Sequence, residues 1–458
     1  MRLISTRDTE QEAPLRTAVL GGPAPNGGLY LPVDLPRITE EELRSLEGGS
    51  FAATAEYLAG RILEPTLSVE TVRRMVASAF DFPLPLVPLG RSTWVLELFH
   101  GPTGSFKDFG ARFLARLLSV LRDPEDGPVV ILVATSGDTG GAVADAVRGL
   151  EGVRAVVLYP QGRLSPVQLR QIQVPAVRNG SGEREAPGLA QQGVVPVEVR
   201  GSFDDCQRMV KDVLNEPGPG IDSILTSANS VNVGRLIPQT FYYVHGWNEL
   251  PADRAQLTVS VPSGNLGNLT AGILATRMGL PVRSFVAASN ANAAMSRFFE
   301  SGAWPDGQTL ETLSSAMDVA RPNNLERLVT LFDGDVEELR RTIAATTHED
   351  DAVLETIARV HREQGYLMDP HTAVGYLGLE EQRRQTGDAA PGMILATADP
   401  AKFPATIERA IGRRPPRRSD WEEEGISQPT PPARSEESTI VTDPDSDALR
   451  EILKKVQS

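Results

Sequence analysis

The chain has 458 residues, of which 40% are hydrophobic, and a formal net charge of −15, so we expect two or three globular domains. The negative charge argues against nucleic-acid binding, and no run reaches the roughly 18–20 apolar residues that span a bilayer. One cysteine, Cys206, and scattered histidines predict no disulfide and no metal site. We therefore expect a cytoplasmic protein, for which a small anionic substrate is possible.

Residues 1–85 are predicted to form a small opening domain. Their main feature is a segment rich in glycine and proline, 21–32, which ends in a short apolar stretch. Prolines interrupt the segment and no Gly-Lys-Ser/Thr follows, so it predicts a turn and not a phosphate loop. Helical periodicity is present in residues 41–46 and 51–63.

The turn-rich segment 100–110 continues into a helical pattern. Apolar residues recur at three- and four-residue steps and predict one buried face: Phe106, Phe109, Phe113, Leu117 and Leu121. The spacing of Ser105 and Asp108 is typical of a helix start and puts Lys107 in the first turn. There the helix dipole and the phenylalanines should lower the pKa of its ammonium, which favours the neutral amine that condenses with an aldehyde. By itself this segment also allows an ordinary surface lysine.

A nearly all-apolar segment, 128–135, predicts a strand buried on both faces, as in a parallel sheet. A glycine-rich turn follows, and a helix continues to Leu150. Such a turn offers backbone N–H groups to an anion, and the hydroxyls of Thr135, Ser136 and Thr139 add donors. The turn lacks the lysine of a triphosphate loop, so a carboxylate is the expected ligand. The alternative is that the glycines and Asp138 only cap the helix.

Strand and helix patterns then alternate, which predicts βαβ units and a parallel sheet. The predicted strands are 154–159 and 194–200, and the predicted helices are 165–173 and 203–214. The polar, glycine-rich residues 178–192 predict a surface loop without a catalytic role. Cys206 is expected to be a small buried side chain.

Two later segments have patterns that suit phosphate groups. If a helix begins near Asn232, Ser230 lies in the cap region and Arg235 in the first turn, where both could bind a dianion. A capping serine with a solvated arginine is the alternative. The segment 263–272 lies between a predicted strand, 257–262, and a helix, and its glycines let the backbone approach a monophosphate. The third glycine of a dinucleotide fingerprint is missing.

Together these segments resemble the threonine synthases, pyridoxal-phosphate enzymes of the family that includes tryptophan synthase β and threonine deaminase. The resemblance covers most of residues 1–412. It implies an α/β fold with two parallel-sheet domains of the tryptophan synthase β-like type and a small N-terminal domain. The implied domains are 1–85 (N-terminal), 86–127 with 220–412 (large, cofactor-binding) and 128–219 (small). Charge, proline and serine predict a mobile tail at 413–458 with a short closing helix.

The resemblance also implies residue roles. Lys107 would bind the aldehyde of pyridoxal 5′-phosphate as an aldimine and serve as the catalytic base. The other implied cofactor-binding residues are Gly264, Asn265, Leu266, Gly267 and Asn268 at the phosphate, Thr397 at the pyridine nitrogen and Asp138, where many relatives carry asparagine, at the 3′-oxygen. The implied substrate-binding residues are Thr135, Ser136 and Thr139 for the carboxylate, and Ser230 and Arg235 for the phosphate.

The implied reaction converts O-phospho-L-homoserine and water to L-threonine and phosphate, in a monomer or homodimer. Two alternatives are a related phospho-lyase that releases 2-oxobutanoate and a cofactor-free binding module. Asp399 stands where relatives usually have histidine, and we expect it to cap the following helix. Arg321 is a weaker phosphate candidate, and His371, next to a helix cap, is expected to be structural.

Overall fold

The computed structural model describes residues 1–64, 66–90, 92–173, 193–251, 256–387, 390–423 and 439–457. The predicted loop 178–192 and residues 424–438 of the predicted tail lie outside the described residues. The chain divides into two units. The first unit comprises Met1–Glu12, Leu31–Phe106 and Leu236–Pro416, and the second comprises Ala13–Tyr30, Lys107–Arg235 and Arg417–Ser458.

Strands and helices alternate along most of the chain. The strands are β1 (Arg2–Ser5), β2 (Asp8–Pro14), β3 (Tyr30–Pro32), β4 (Leu86–Pro88), β5 (Thr93–Glu97), β6 (Val129–Ala134), β7 (Val153–Pro160), β8 (Val194–Val199), β9 (Ile224–Ser227), β10 (Thr258–Pro262), β11 (Ser284–Ser289), β12 (Ile343–Thr347), β13 (Gly392–Ala396) and β14 (Ile440–Thr442). The helices are α1 (Leu15–Gly21), α2 (Glu40–Ser45), α3 (Phe51–Leu63), α4 (Val69–Ala79), α5 (Lys107–Leu121), α6 (Asp138–Val147), α7 (Pro166–Ile172), α8 (Phe203–Asn215), α9 (Val233–Leu236), α10 (Gln239–Glu249), α11 (Gly267–Arg277), α12 (Ala294–Ser301), α13 (Leu325–Leu331), α14 (Val336–Thr342), α15 (Asp350–Gln364), α16 (Pro370–Thr386), α17 (Pro404–Ile411), α18 (Ser419–Glu423) and α19 (Ser446–Val456).

A six-stranded sheet forms the centre of the first unit, in the order β12-β11-β10-β13-β5-β4. Its strands pair in parallel except for the antiparallel edge pair β4–β5. β10 and β13 are buried along their whole length, and β10 confirms the predicted strand at 257–262. Helix α16 packs on this sheet. A smaller sheet has the order β2-β1-β3.

A five-stranded parallel sheet forms the centre of the second unit, in the order β14-β8-β7-β6-β9. β6 is completely buried, as its apolar sequence predicts. Helices α8 and α19 cover the sheet with a shared apolar core that includes Leu132, Val197 and Leu453. Cys206 lies in this core, which confirms its predicted burial, and burial raises the pKa of its thiol to about 12.

Helix α5 begins at Lys107, in agreement with its predicted place in the first turn. The predicted apolar face is confirmed, since Phe109, Phe113 and Leu117 are fully buried. Arg112 on the same helix forms an ion pair with Asp145 of α6, with 3.0 Å between Nη1 and Oδ2. Helix α5 belongs to the second unit.

Residues Ala13–Tyr30 of the opening segment belong to the second unit. The carbonyl oxygen of Val19 accepts hydrogen bonds from Asn232 Nδ2 at 2.9 Å and from Thr226 Oγ1 at 3.3 Å. The predicted glycine-rich turn is present: the side chain of Asn26 accepts a hydrogen bond from the N–H of Gly28 at 2.9 Å.

Part of the predicted mobile tail is folded. β14 pairs in parallel with β8, with Ile440 opposite Val197, and α19 contains the predicted closing helix. Leu449 and Leu453 are buried in the core of the second unit. The apolar spacing of 449–456 predicted a helix, but the strand of three residues ahead of it has no local signal. The tail prediction is therefore corrected for residues 439–457.

None of the helices in the described ranges combines the length and the apolar character that a membrane span requires. The same ranges contain no group of three or more histidine, cysteine, aspartate or glutamate side chains placed to hold a metal ion.

Candidate active site

The residues predicted for the site follow the carboxyl ends of parallel strands in both units. In the first unit, residues 263–266 follow β10 and Thr397 follows β13, and these two strands are neighbours. In the second unit, residues 135–137 follow β6 and 228–232 follow β9, which are also neighbours. Parallel strands end at the same edge of a sheet, where ligands bind in α/β proteins, so each pair of loops is brought together within its own unit.

The loop after β10 has the backbone of an anion-binding turn. Leu266 adopts a left-handed conformation, with φ 60° and ψ 6°, immediately before α11 begins at Gly267. A side chain of this kind rarely adopts that conformation outside functional sites. A Cβ atom on Gly264 would lie 2.8 Å from Met317 Cα, so only glycine fits there. The loop thereby presents the N–H groups of the first turn of α11 to a ligand.

Asn268, in the first turn of α11, supplies a buried donor. Its Oδ1 accepts hydrogen bonds from Tyr242 at 2.6 Å and Tyr243 at 2.8 Å. Burial raises the pKa of Tyr243 well above its usual value, which keeps that hydroxyl protonated and able to donate. Asn268 Nδ2 is buried and has no hydrogen-bond partner among the described residues.

An unsatisfied buried donor costs about 1–3 kcal/mol, which a ligand oxygen at this position would offset. The left-handed turn, the glycine that tolerates no Cβ and this amide therefore fit a phosphate monoester. Sequence reasoning missed the two tyrosines. Their signal is weak: two adjacent tyrosines on α10, a helix whose residues are buried on every side.

The segment that leads to Lys107 is fixed along the end of β13. The N–H of Phe106 donates to the carbonyl of Thr397 at 2.9 Å, and the N–H of Asp399 donates to the carbonyl of Gly104 at 3.0 Å. Lys107 is the next residue after Phe106. The predicted capping role of Asp399 is confirmed, since its Oδ1 accepts from the N–H of Ala401 at 2.8 Å.

Lys402 is a second lysine near this segment and was not predicted. Its side chain is buried, and Nζ donates to the carbonyl of Thr103 at 2.8 Å. This bond ties the turn after β13 to the segment ahead of the helix that begins with Lys107. The lysine was difficult to find from sequence, because its partner lies about 300 residues away and is a backbone atom.

In the second unit, Thr135 shapes the turn that was predicted to bind a carboxylate. Its Oγ1 accepts from the N–H groups of Gly137 and Gly140 at 3.0 and 2.9 Å, and it donates to the carbonyl of Gly137 at 2.9 Å. These bonds of the buried hydroxyl fix the shape of the turn. Ser136 is exposed and Thr139 half-buried, and they remain the hydroxyls available to a ligand.

Asp138 begins α6 and is buried. Its Oδ1 accepts a hydrogen bond from Gln168 Nε2 of α7 at 3.1 Å. A Cβ atom on Gly137 would lie 2.5 Å from the same nitrogen, so the glycine makes room for the amide. Gln168 was missed because its partner lies in another helix.

Arg235 and Ser230 belong to the loop and short helix that follow β9. Helix α9 has four residues and begins at Val233, close to the predicted start. Arg235 is buried, and its Nη1 donates to the carbonyl of Ala228 at 2.5 Å. The predicted alternative of a solvated arginine is therefore wrong. Ser230 is half-buried in the same loop.

Arg235 also lies against α5. A Cβ atom on Gly110 would be 3.1 Å from both Arg235 Nε and the Arg235 carbonyl oxygen. Gly110 follows Lys107 by three residues, and residues three apart share a helix face. The guanidinium thus lies beside the face of α5 that carries Lys107, one helical turn away.

The two secondary candidates lie outside this set. His371 is buried; its Nδ1 is 2.6 Å from Asp369 Oδ2, and its Nε2 accepts from the N–H of Ala316 at 3.1 Å. The histidine therefore fixes a loop, as expected. Arg321 is exposed and donates to the carbonyl of Asp306 at 2.9 Å.

Comparison with known proteins identifies similar sequences and structures. Three family models match: pyridoxal-phosphate dependent enzyme over residues 78–397, threonine synthase N terminus over 2–80 and threonine synthase, C-terminal over 372–442. The threonine synthase of Serratia marcescens is 38% identical over 417 residues, which covers 91% of this chain and 92% of that protein. The crystal structure of threonine synthase from Escherichia coli has a TM-score of 0.84 and 35% identity, covering 99% of this chain and 100% of that one. The PLP-bound threonine synthase from Brucella melitensis has a TM-score of 0.86 and 31% identity, covering 100% and 99%.

Proposed function

The chain belongs to the threonine synthase family of pyridoxal-phosphate-dependent enzymes, and we propose that it converts O-phospho-L-homoserine and water to L-threonine and phosphate. The observation that carries the proposal is the position of Arg235. The buried guanidinium of Arg235 contacts α5 at Gly110, one helical turn from Lys107. This position suits a substrate whose phosphate lies a few bonds from the carbon that loses a proton.

Pyridoxal 5′-phosphate is the cofactor of this family. We assign Lys107 to its aldehyde, residues 264–268 to its phosphate, and Thr397 and Asp138 to its ring. The phosphate assignment is supported by the left-handed turn at Leu266 and by the buried amide donor of Asn268. When bound, the cofactor accepts electron density from the substrate carbon that bears the amino group and so makes that carbon acidic.

Lys107 is the proposed base and acid of the reaction. As a neutral amine, its Nζ removes the proton from Cα of the substrate. Loss of a proton from Cβ then breaks the bond between Cγ and the phosphate oxygen. Cγ gains a proton, water adds its oxygen at Cβ, and Lys107 returns a proton to Cα. The position in the first turn of α5 disfavours a cation and so supports the neutral form. The apolar face of α5 is fully buried, which holds the lysine at a fixed place on a rigid helix.

The remaining polar groups of the second unit orient the substrate. Ser136, Thr139 and the backbone N–H groups of their turn bind the carboxylate, while Arg235 and Ser230 bind the phosphate and stabilise it as it leaves. One Arg235 nitrogen is used on the carbonyl of Ala228, but a guanidinium has five N–H donors and can serve both. Gln168 keeps the carboxylate of Asp138 in one orientation.

Product analysis tests this proposal. The cofactor-loaded protein is incubated with O-phospho-L-homoserine, and amino acids, oxo acids, ammonium and phosphate are measured. We expect equal amounts of threonine and phosphate. Formation of 2-oxobutanoate and ammonium in place of threonine would identify a phospho-lyase, and a protein that takes up no cofactor would point to a binding module. Either result would refute the proposal.

The single cysteine supports a cytoplasmic location, since proteins of oxidising compartments commonly rely on disulfides. We propose that the enzyme works there as a monomer or homodimer. Fractionation of cells that express the chain from its own gene, with light scattering on the purified protein, tests both points. Recovery in a membrane or exported fraction, or a mass above that of a dimer, would contradict them.

A further inference from the structure

Arg327 is a charged residue that the proposed function does not use, yet it is 0% exposed in helix α13. Burial lowers the pKa of its guanidinium to about 9. The charge of the adjacent carboxylate, Glu326, opposes this shift. That carboxylate is half-buried and accepts hydrogen bonds from Thr6 Oγ1 at 2.6 Å and Arg7 Nε at 2.9 Å. Burying a cation costs free energy, so we expect the polar contacts of Arg327 to contribute to the structure or function of the protein.

One of these contacts connects Arg327, through Asn324, to the proposed phosphate-binding segment 264–268. Arg327 Nη1 donates to Asn324 Oδ1 at 2.6 Å, and Asn324 Nδ2 donates to the carbonyl oxygen of Asn265 at 2.9 Å. Asn324 is also fully buried. Arginine has only donors, so it can face only the oxygen of the asparagine amide. The guanidinium therefore fixes the amide with its nitrogen towards Asn265.

Two bonds from Asn324 hold the orientation of one peptide group: its Nδ2 at 2.9 Å and its backbone N–H at 3.3 Å both donate to the carbonyl oxygen of Asn265. In a trans peptide the C=O and the next N–H point in opposite directions. Because the carbonyl of Asn265 points to Asn324, the N–H of Leu266 points the opposite way within the same peptide plane, away from Asn324. Leu266 is the left-handed residue that begins α11, and its conformation depends on how this peptide is held.

We infer that Arg327 and Asn324 are positioning residues for the cofactor phosphate, which act by holding the peptide between Asn265 and Leu266 with its N–H towards the ligand. The inference rests on the proposed function, since it takes residues 264–268 as the phosphate-binding segment. It predicts that disturbing either residue weakens binding of the phosphate group and leaves binding of the rest of the cofactor unchanged.

The test compares two ligands on the full-length protein after its cofactor has been removed: pyridoxal 5′-phosphate, and pyridoxal, which lacks the phosphate. Asn324→Asp is the main variant. It has the same shape and still offers Arg327 an acceptor, but it replaces the donor to Asn265 with an oxygen. Loss of about one buried hydrogen bond predicts roughly tenfold weaker binding of pyridoxal 5′-phosphate, with pyridoxal affinity within about twofold of the unaltered chain.

Arg327→Met and Arg327→Lys extend the test. The methionine variant leaves the Asn324 amide free to turn, so its affinity for pyridoxal 5′-phosphate is expected to fall by a similar factor. The lysine variant keeps one donor and is expected to retain part of that affinity. Arg383→Met is the matched control. Arg383 donates to Thr93 Oγ1 and to the carbonyl of Ser92 at the amino end of β5. These contacts lie at the amino-terminal ends of the strands, whereas the phosphate-binding segment follows the carboxyl end of β10. We expect this variant to be less stable but to keep the affinity ratio of the two ligands.

An equal loss for both ligands, or no loss for either, in folded Asn324→Asp protein would overturn the inference. Threonine formation is not part of this measurement, so a failure of the proposed reaction is seen separately in the product assay. If the unaltered protein bound pyridoxal as tightly as pyridoxal 5′-phosphate, the phosphate site itself would be wrong and the inference would fall with it.

Discussion

Replacing Gly110 with alanine tests the position of Arg235 directly. Gly110 lies inside α5, where an alanine normally stabilises a helix by about 0.5–1 kcal/mol. Here the added methyl group would lie 3.1 Å from both Arg235 Nε and the Arg235 carbonyl oxygen, and 3.6 Å from Arg235 Cβ. The backbone of Arg235 has little room to move, because its N–H donates to the carbonyl of Asn232 at 3.1 Å.

Two opposing effects decide the magnitude. Overpacking of this kind costs about 1–3 kcal/mol. Subtracting the helix gain leaves a net destabilisation between about zero and about 2.5 kcal/mol. The displaced guanidinium would also lose a charge-assisted hydrogen bond to the substrate phosphate, which is worth about 1.5–3 kcal/mol. In kcat/KM for threonine formation, that loss is roughly 10–150-fold.

The assays are chemical denaturation and steady-state kinetics with O-phospho-L-homoserine. Gly60→Ala is the matched control, since Gly60 lies within α3 and a Cβ atom there would meet nothing within 4 Å. The control is expected to gain about 0.5–1 kcal/mol of stability with unchanged kcat/KM. If Gly110→Ala behaved like Gly60→Ala in both assays, the account of Arg235 as the phosphate-binding cation would be refuted.

Further substitutions test other parts of the account. Lys107→Ala should remove the visible absorbance of the cofactor-loaded protein and lower threonine formation by about 10²–10⁴-fold; retained absorbance would contradict its role. Asp399→Ala removes a cap and should cost about 0.5–2 kcal/mol in denaturation, with the absorbance spectrum unchanged; a shifted spectrum would show that the carboxylate acts on the cofactor. The pKa of Cys206, about 12, keeps its thiol protonated at pH 8, so a thiol reagent should modify it only after unfolding; modification of the native protein would contradict its burial. Leu449→Ala should cost about 2–5 kcal/mol of unfolding free energy if the tail belongs to the core, and a change near zero would support a mobile tail.

Local pattern was enough for much of the fold. The continuous apolar run of β6 and the three- and four-residue spacing on α5 both predicted the observed burial, because the signal lies within one element. The cap formed by Asp399 was predicted for the same reason, as its partner Ala401 is two residues away. Resemblance to a known family supplied the roles of residues whose chemistry cannot be deduced from spacing.

What the sequence could not supply are contacts between distant segments. Nothing in the local pattern pairs Gln168 with Asp138, or places Arg235 against Gly110. The charge and proline content of the tail predicted mobility. Its strand of three residues, β14, forms through pairing with β8, which the local sequence does not indicate. The residue type of Thr135 predicted a donor, but it did not show that the hydroxyl also accepts hydrogen bonds from the N–H groups of Gly137 and Gly140.

The most direct test of the proposed reaction is the fate of the oxygen of water. In water enriched in ¹⁸O, elimination of phosphate followed by addition of water at Cβ predicts one ¹⁸O atom in the hydroxyl group of threonine and none in the phosphate released. Labelled phosphate together with homoserine would show that the phosphorus–oxygen bond is cleaved instead, and would contradict the assignment of Lys107 and Arg235 to a threonine synthase.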